Sequence, residues 1–228
     1  MNIFLNKKIL IYGLGKSGIS SFKFLKKKSE VYLFDDNLLK TQNFILKKNI
    51  INYKNILKTK FDQIIISPGI DINKCKLSKF LKKNNGKIYS DLDVFYSFYK
   101  NICITITGTN GKSTTCQLLY KILLDQKLDV KLVGNIGNPI LSVKKVNKKT
   151  IFIIEASSYQ LEYSKIFKSK YAAILNISPD HIERHKTFKN YIKAKFKLLK
   201  NQSNKHFAFV KKKDFIINKE LRSNSLNC

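Results

Sequence analysis

Short runs of apolar and β-branched residues alternate with longer amphipathic stretches along the chain. Residues 8–12, 31–34, 61–66, 87–89, 102–106, 130–133, 151–154 and 172–177 have the length and composition of buried strands. Between them apolar positions recur at helical spacing, as with Cys116, Leu119 and Leu123, or Val94, Phe95 and Phe98. This alternation predicts an α/β fold with mainly parallel sheets, because parallel neighbours need a crossover between them. The helix over residues 188–200 holds an exception. Phe188, Ile192 and Leu199 mark its apolar stripe, and Lys195 falls on that stripe, unlike Lys189, Lys193, Lys197 and Lys200. A lysine turned inward is desolvated, which lowers its pKa and exposes a neutral amine able to capture CO2 as a carbamate. Composition alone favours the alternative, a lysine whose stem snorkels to solvent.

Two strand-to-helix turns are rich in glycine. After the strand at 8–12 comes Gly13-Leu-Gly15-Lys-Ser17-Gly18, and the next strand ends in Asp35-Asp36. Gly-x-Gly-x-x-Gly between strand and helix, with an acid about 20 residues on, is a nucleotide-binding fingerprint that does not compel NAD. A tight turn beside two surface acids is the other reading. The second turn is Gly108-Thr109-Asn110-Gly111-Lys112-Ser113-Thr114, with a helix predicted from Ser113. Small residues let backbone N–H groups converge on phosphate oxygens, and the helix N-terminus adds partial positive charge. Lys112 can reach terminal phosphates, and the Ser113 hydroxyl can ligate Mg2+. Ile106 stands where the general phosphate loop has its first glycine, so an ordinary turn with a surface lysine is the alternative.

Charge changes the picture in two ways. A net charge of +29 invites a nucleic-acid partner, yet Arg184 and Arg222 are the only arginines. The lysines spread along the whole chain beside abundant Asn, Ile, Phe and Tyr, the mark of an A/T-rich coding bias. A solvated lysine surface is therefore expected, with no nucleic-acid partner. Only 15 acidic residues exist, so those at strand ends stand out. Glu155 closes the apolar run 151–154, where it would hold Mg2+ or serve as a helix N-terminal acid. His181 leaves the strand at 172–177 through Ser178-Pro179-Asp180, as a metal or ligand contact or as a structural histidine. Ser67-Pro68-Gly69 follows another strand, on the edge where open parallel sheets bind ligands. Asn135 could offer its amide to a ligand, although a turn-forming role fits its Gly134–Gly137 surroundings better. Asp91 and Asp93 read as helix caps, and His185 and His206 as surface residues.

No apolar run approaches the roughly 20 residues of a membrane helix. The chain enters its first strand without a signal segment, so a cytoplasmic location with no membrane partner is expected. Cys75, Cys103, Cys116 and Cys228 lack metal spacing. The first β-α series stops near residues 97–101, which predicts domains over 1–98 and 99–228.

Together these stretches resemble the Mur ligase family. The likeness rests on the two glycine turns, Ser67-Pro-Gly-Ile70, Gly134-Asn-Ile-Gly137, Glu155-Ala-Ser-Ser-Tyr-Gln-Leu-Glu162, Asn176-Ile-Ser-Pro-Asp-His181 and Lys193-Ala-Lys195. It implies a Rossmann-like first domain, followed by an incomplete phosphate-loop central domain with a mainly parallel sheet. It implies an ATP-dependent ligase of peptidoglycan precursor synthesis that joins D-glutamate to UDP-N-acetylmuramoyl-L-alanine through an acyl phosphate. By the same resemblance Gly15, Ser17, Asp35, Asp36, Ser67, Gly69 and Ser157 would bind the UDP-substrate, and residues 108–114 would bind ATP. Ser113, Glu155, His181 and a carbamylated Lys195 would hold metal, with Lys112, Asn135, His181 and Lys195 facing the reacting groups. This reverses the composition-only reading of Lys195. Asp36 and Asn37 depart from the hydroxyl and basic residue common in the family. Members of the family also continue into a third domain, so a monomeric, truncated product or fragment is expected, with a polar, frayed tail after residue 211. A non-catalytic remnant that keeps nucleotide affinity is the alternative, and an NAD-dependent oxidoreductase a weaker one.

Overall fold

The computed structural model describes residues 2–37 and 48–223. The first sheet contains β1 (Lys8–Tyr12), β2 (Glu30–Phe34), β3 (Gln63–Ile66) and β4 (Ile88–Tyr89), all parallel, in the order β2-β1-β3-β4. Strand β1 is buried on both faces. Ile9 and Ile11 enter one core while Leu10 and Tyr12 enter another, which is why the strand reads as a continuous apolar run. Helices α1 (Lys16–Leu25), α2 (Tyr53–Lys58) and α3 (Ser78–Lys83) make its crossovers.

Helix α4 (Asp91–Phe98) leads to the second sheet, also parallel throughout. Its strands are β5 (Cys103–Thr107), β6 (Val130–Gly134), β7 (Ile151–Glu155), β8 (Tyr171–Ile174) and β9 (Phe207–Val210), in the order β6-β7-β5-β8-β9. Helices α5 (Lys112–Asp125), α6 (Ser158–Tyr163), α7 (Ile182–His185), α8 (Phe188–Lys200) and α9 (Phe215–Ser223) complete it. Because β5 lies between β7 and β8, Ile106 sits opposite both Glu155 and Ala173, so three strand exits share one rim. No described helix is long and apolar enough to cross a membrane. Cys103 and Cys116 are buried free thiols, each pushed up to about 12 by burial, and Cys228 lies outside the described residues.

Three expectations change. Strand β8 stops at Ile174, because Asn176 turns to bond the glycine loop: its carbonyl and Oδ1 accept from Thr109 N at 3.0 and 3.1 Å. The segment after 211 is not frayed up to residue 223, since α9 buries Ile217 and Leu221, four residues apart on one face. Asp93 does cap, accepting the Ser90 amide at 3.0 Å, but its other oxygen accepts the amides of Lys165, Ile166 and Phe167 at 2.9, 2.8 and 3.0 Å. That carboxylate is fully buried and pins α4 to the loop after α6.

Candidate active site at the rim of the second sheet

The loop from β5 to α5 needs its glycines. Gly108 and Gly111 have φ of +155° and +80°, and a Cβ on Gly108 would come within 3.2 Å of Leu175. Helix α5 begins at Lys112, one residue earlier than predicted, so Lys112, Ser113 and Thr114 form its first turn. First-turn amides have no intrahelical acceptor and, with the helix dipole, favour an anion. Asn110 donates its amide to Asn176 at 2.9 Å, which fixes the loop from the β8 side. Lys112 is half-buried and folds back, its Nζ donating to the Thr109 carbonyl at 2.7 Å.

Glu155 ends β7 with 1% of its surface exposed. One of its oxygens accepts the Ser113 hydroxyl at 2.7 Å, and the other accepts the Asn135 amide at 2.7 Å. Asn135 reaches it because Gly134, at φ +108°, passes so close that a Cβ there would lie 2.3 Å from the Glu155 carbonyl. The turn reading of Asn135 therefore holds together with a contact that the turn alone does not reveal. Both hydrogen-bond donors are neutral, and a buried carboxylate beside a helix N-terminus is a fitting oxygen ligand for a divalent cation. No group of three His, Cys, Asp or Glu converges among the described residues, so the protein's share of such a site would be Ser113 and Glu155.

Lys195 is 2% exposed and does not snorkel. Its Nζ donates to the Gly108 carbonyl at 2.7 Å and lies 4.6 Å from the centre of the Tyr191 ring. Burial first, and then the Lys112 charge, push its amine down to about 7. The Tyr191 hydroxyl is 3.0 Å from that of Thr109, so α8 presses a lysine and a tyrosine against the glycine loop. Lys197 on the same helix is also half-buried, with its ammonium on the Glu162 carbonyl, contrary to the solvated role expected for it.

His181 stands apart from this group. It is an exposed residue at φ +52°, with its ring 3.3 Å from Asp180 and 3.8 Å from Glu183. Its ring lies 6.4 Å from that of Tyr191, and no hydrogen bond or ion pair joins it to Glu155 among the described residues. His185, expected at the surface, is 3% exposed. It lies 3.0 Å from the Ser158 hydroxyl and stacks on Tyr159, and burial pushes its imidazole down to about 4. Nothing in its sequence neighbourhood signals this, because α6 and α8 supply the covering rings.

On the first sheet the predicted polar side chains are already engaged. Ser67 is buried and donates to the Gly13 carbonyl at 2.7 Å. Asp35 accepts the Leu14 amide at 2.7 Å, and Asp36 accepts the Tyr12 hydroxyl at 2.6 Å. Gly15 and Gly69 remain exposed. Ser17 donates to Asp91 at 2.6 Å, both Asp91 oxygens receive Gln160 at 3.4 Å, and Gln160 closes a capping box with Ser157. This chain joins the glycine turn of the first sheet to the exit of β7. Burial pushes the Asp91 carboxyl up. Beside the turn runs a groove of about 830 Å³ from Gly15 to Lys144, lined by Lys16, Lys23, Lys27, Lys28 and Lys144 among others.

The family described as Mur ligase middle domain matches residues 106–227, and Mur ligase MurD-like, N-terminal domain matches residues 7–88. The UDP-N-acetylmuramoylalanine--D-glutamate ligase of Rickettsia bellii is 37% identical over 214 residues, covering 92% of this chain and 47% of that protein. The protein of the same name from Caldicellulosiruptor bescii is 40% identical over 208 residues, covering 86% and 45%. The chain thus spans about half the length of the curated relatives it matches. Among solved structures, the UDP-N-acetylmuramate:L-alanyl-gamma-D-glutamyl-meso-diaminopimelate ligase from Neisseria meningitides superposes with a TM-score of 0.59. That match covers 96% of this chain and 75% of the other at 15% identity, a likeness of fold.

Proposed function

The chain belongs to the Mur ligase family, and on that premise we propose that it carries the nucleotide-binding part of an ATP-dependent ligase joining D-glutamate to UDP-N-acetylmuramoyl-L-alanine. The reading divides the chain into residues 1–98 for the UDP-substrate and 99–228 for ATP, acting in the cytoplasm as a monomer. The substrate carboxylate attacks the γ-phosphate, forming a C–O–P bond and releasing ADP. The D-glutamate amine then adds to the acyl carbon, and phosphate leaves from the tetrahedral intermediate.

The observation that carries this reading is the convergence of four elements on one rim: Ser113 and Asn135 on Glu155 at 2.7 Å each, and Lys195 on Gly108 at 2.7 Å. The α5 amides would receive the phosphates, with residues 108–114 wrapped around them. Lys112 would leave the Thr109 carbonyl for the phosphate oxygens, where its charge spreads the load that develops in phosphoryl transfer. Mg2+, held by Ser113 and Glu155, would supply charge neutralisation and alignment. The neutral Lys195 amine would add CO2, forming an N–C bond and losing a proton to solvent, and the resulting carbamate and His181 would serve a second metal. Asn135 would turn from Glu155 toward the reacting groups. On the first sheet, the exposed backbone at Gly15 and Gly69 would meet the UDP-substrate. Ser17, Asp35, Asp36 and Ser67 would shape that surface, and Ser157 would bound it from the second sheet.

Isothermal titration tests the proposal. Saturable binding of UDP-N-acetylmuramoyl-L-alanine and of Mg-ATP is expected, and absence of both would sink it. A second reading is a protein that binds nucleotides without turnover. Complementation of a ligase-deficient bacterium separates the two.

A further inference from the structure

We propose that Arg184 is a positioning residue that holds loop 67–72, after β3, against the turn that bears His181, and so sets the spacing of the two. The inference rests on the proposed reading in which Ser67 and Gly69 belong to the UDP-substrate surface and His181 faces the reacting groups.

Arg184 lies on α7, three residues after His181, and its side chain is 10% exposed. Its Nη2 donates to the Ile70 carbonyl at 2.7 Å and to the Tyr163 hydroxyl at 2.6 Å. The Tyr163 hydroxyl in turn donates to the same Ile70 carbonyl at 3.1 Å. Around this core, Nη1 is 3.2 Å from Asp71, and Nη2 is 3.1 Å from Glu162. Those two carboxylate contacts are ion pairs without directed hydrogen bonds, so the Ile70 and Tyr163 bonds set the geometry. One guanidinium therefore spans loop 67–72, α6 and α7, joining positions 114 residues apart.

The same side chain reaches the chemistry through Tyr159. The guanidinium lies 5.4 Å from the centre of the Tyr159 ring, and the His181 ring lies 5.0 Å from it. A shift of Arg184 would move the surface on which His181 rests and, at its other end, the height of Gly69. Composition strengthens the point. Arginine occurs twice among 44 basic residues, leaving 42 lysines (44 − 2). In a chain that otherwise uses lysine almost everywhere, position 184 keeps the planar fork. An ammonium gathers its donors on a single atom, so it cannot serve Asp71 on one side and Ile70 with Tyr163 on the other while stacking on a ring.

The test uses the 228-residue chain, Arg184→Lys and Tyr163→Phe, with two measurements. In titrations, both variants are expected to weaken UDP-N-acetylmuramoyl-L-alanine binding, Arg184→Lys by at least about tenfold. Mg-ATP affinity should stay within about twofold, since the phosphate loop makes none of these bonds. In hydrogen exchange, amides over 69–72 and 181–185 should exchange faster in both variants. A lowered melting temperature with unchanged UDP-substrate affinity would mean that Arg184 only stabilises the fold, and would overturn the proposal. If the unaltered chain binds no UDP-substrate, the UDP-substrate half of the functional reading fails by itself. Exchange over 69–72 then decides the clamp, and unchanged rates there would sink it.

Discussion

The amine of Lys195 donates to the carbonyl of Gly108 at 2.7 Å, so the one lysine buried among the described residues is bonded to the backbone of the glycine loop. Burial, and after it the neighbouring Lys112 charge, disfavour the ammonium, and its pKa falls to about 7. The unfolded chain holds that proton up to the ordinary lysine value of about 10.4, so between pH 7 and 10 the unfolded state binds more protons. Stability therefore rises with pH across that window. Urea unfolding in CO2-free buffer should show the unaltered protein gaining on the order of 2–5 kcal/mol over Lys195→Met between pH 7 and 10. A difference that does not vary with pH would refute the neutral amine.

Glu155→Gln keeps the shape of the Ser113 and Asn135 contacts but removes the charge. Titration should show Mg-ATP binding weakened about 10- to 100-fold, with little change in binding of metal-free ATP. Equal losses with and without Mg2+ would argue that Glu155 orders the loop and holds no metal.

His185 predicts a dependence of the same sign at acid pH. It is buried neutral with its imidazole at about 4, whereas the unfolded chain takes up a proton near 6.5. Between pH 6.5 and 4 the unfolded state binds more protons, so stability falls on acidification. His185→Gln, which can still reach Ser158, should flatten that limb by up to about 3 kcal/mol in chemical denaturation.

Asp93→Asn tests the junction. The substitution leaves the three amides of residues 165–167 without their charged acceptor in a fully buried place. A loss of about 2–4 kcal/mol in urea unfolding is expected. A change below about 0.5 kcal/mol, ordinary for a surface site, would show that water replaces the bonds.

Much of this architecture is legible in the sequence. Buried parallel strands are continuous apolar runs, which made β1, β5 and β7 visible, and the loops needed glycine where φ is positive at Gly13, Gly108 and Gly111. Glu155 stood out because a chain with so few acids placed one at the end of such a run. Helical spacing put Lys195 on the inner stripe but could not say where its amine would end.

The remaining features depend on partners far along the chain. His185 is covered by rings of α6 and α8, Asp93 by amides more than 70 residues later, and Arg184 by a carbonyl 114 residues earlier. Local pattern determined which stretches are strands, helices and glycine turns, because those choices depend on neighbours within a few residues. Packing of the two sheets decided which polar groups lose water and which donors they then meet. Burial and hydrogen-bond partnership belong to the assembled molecule, and they lower the pKa of Lys195 and His185 and raise that of Asp91.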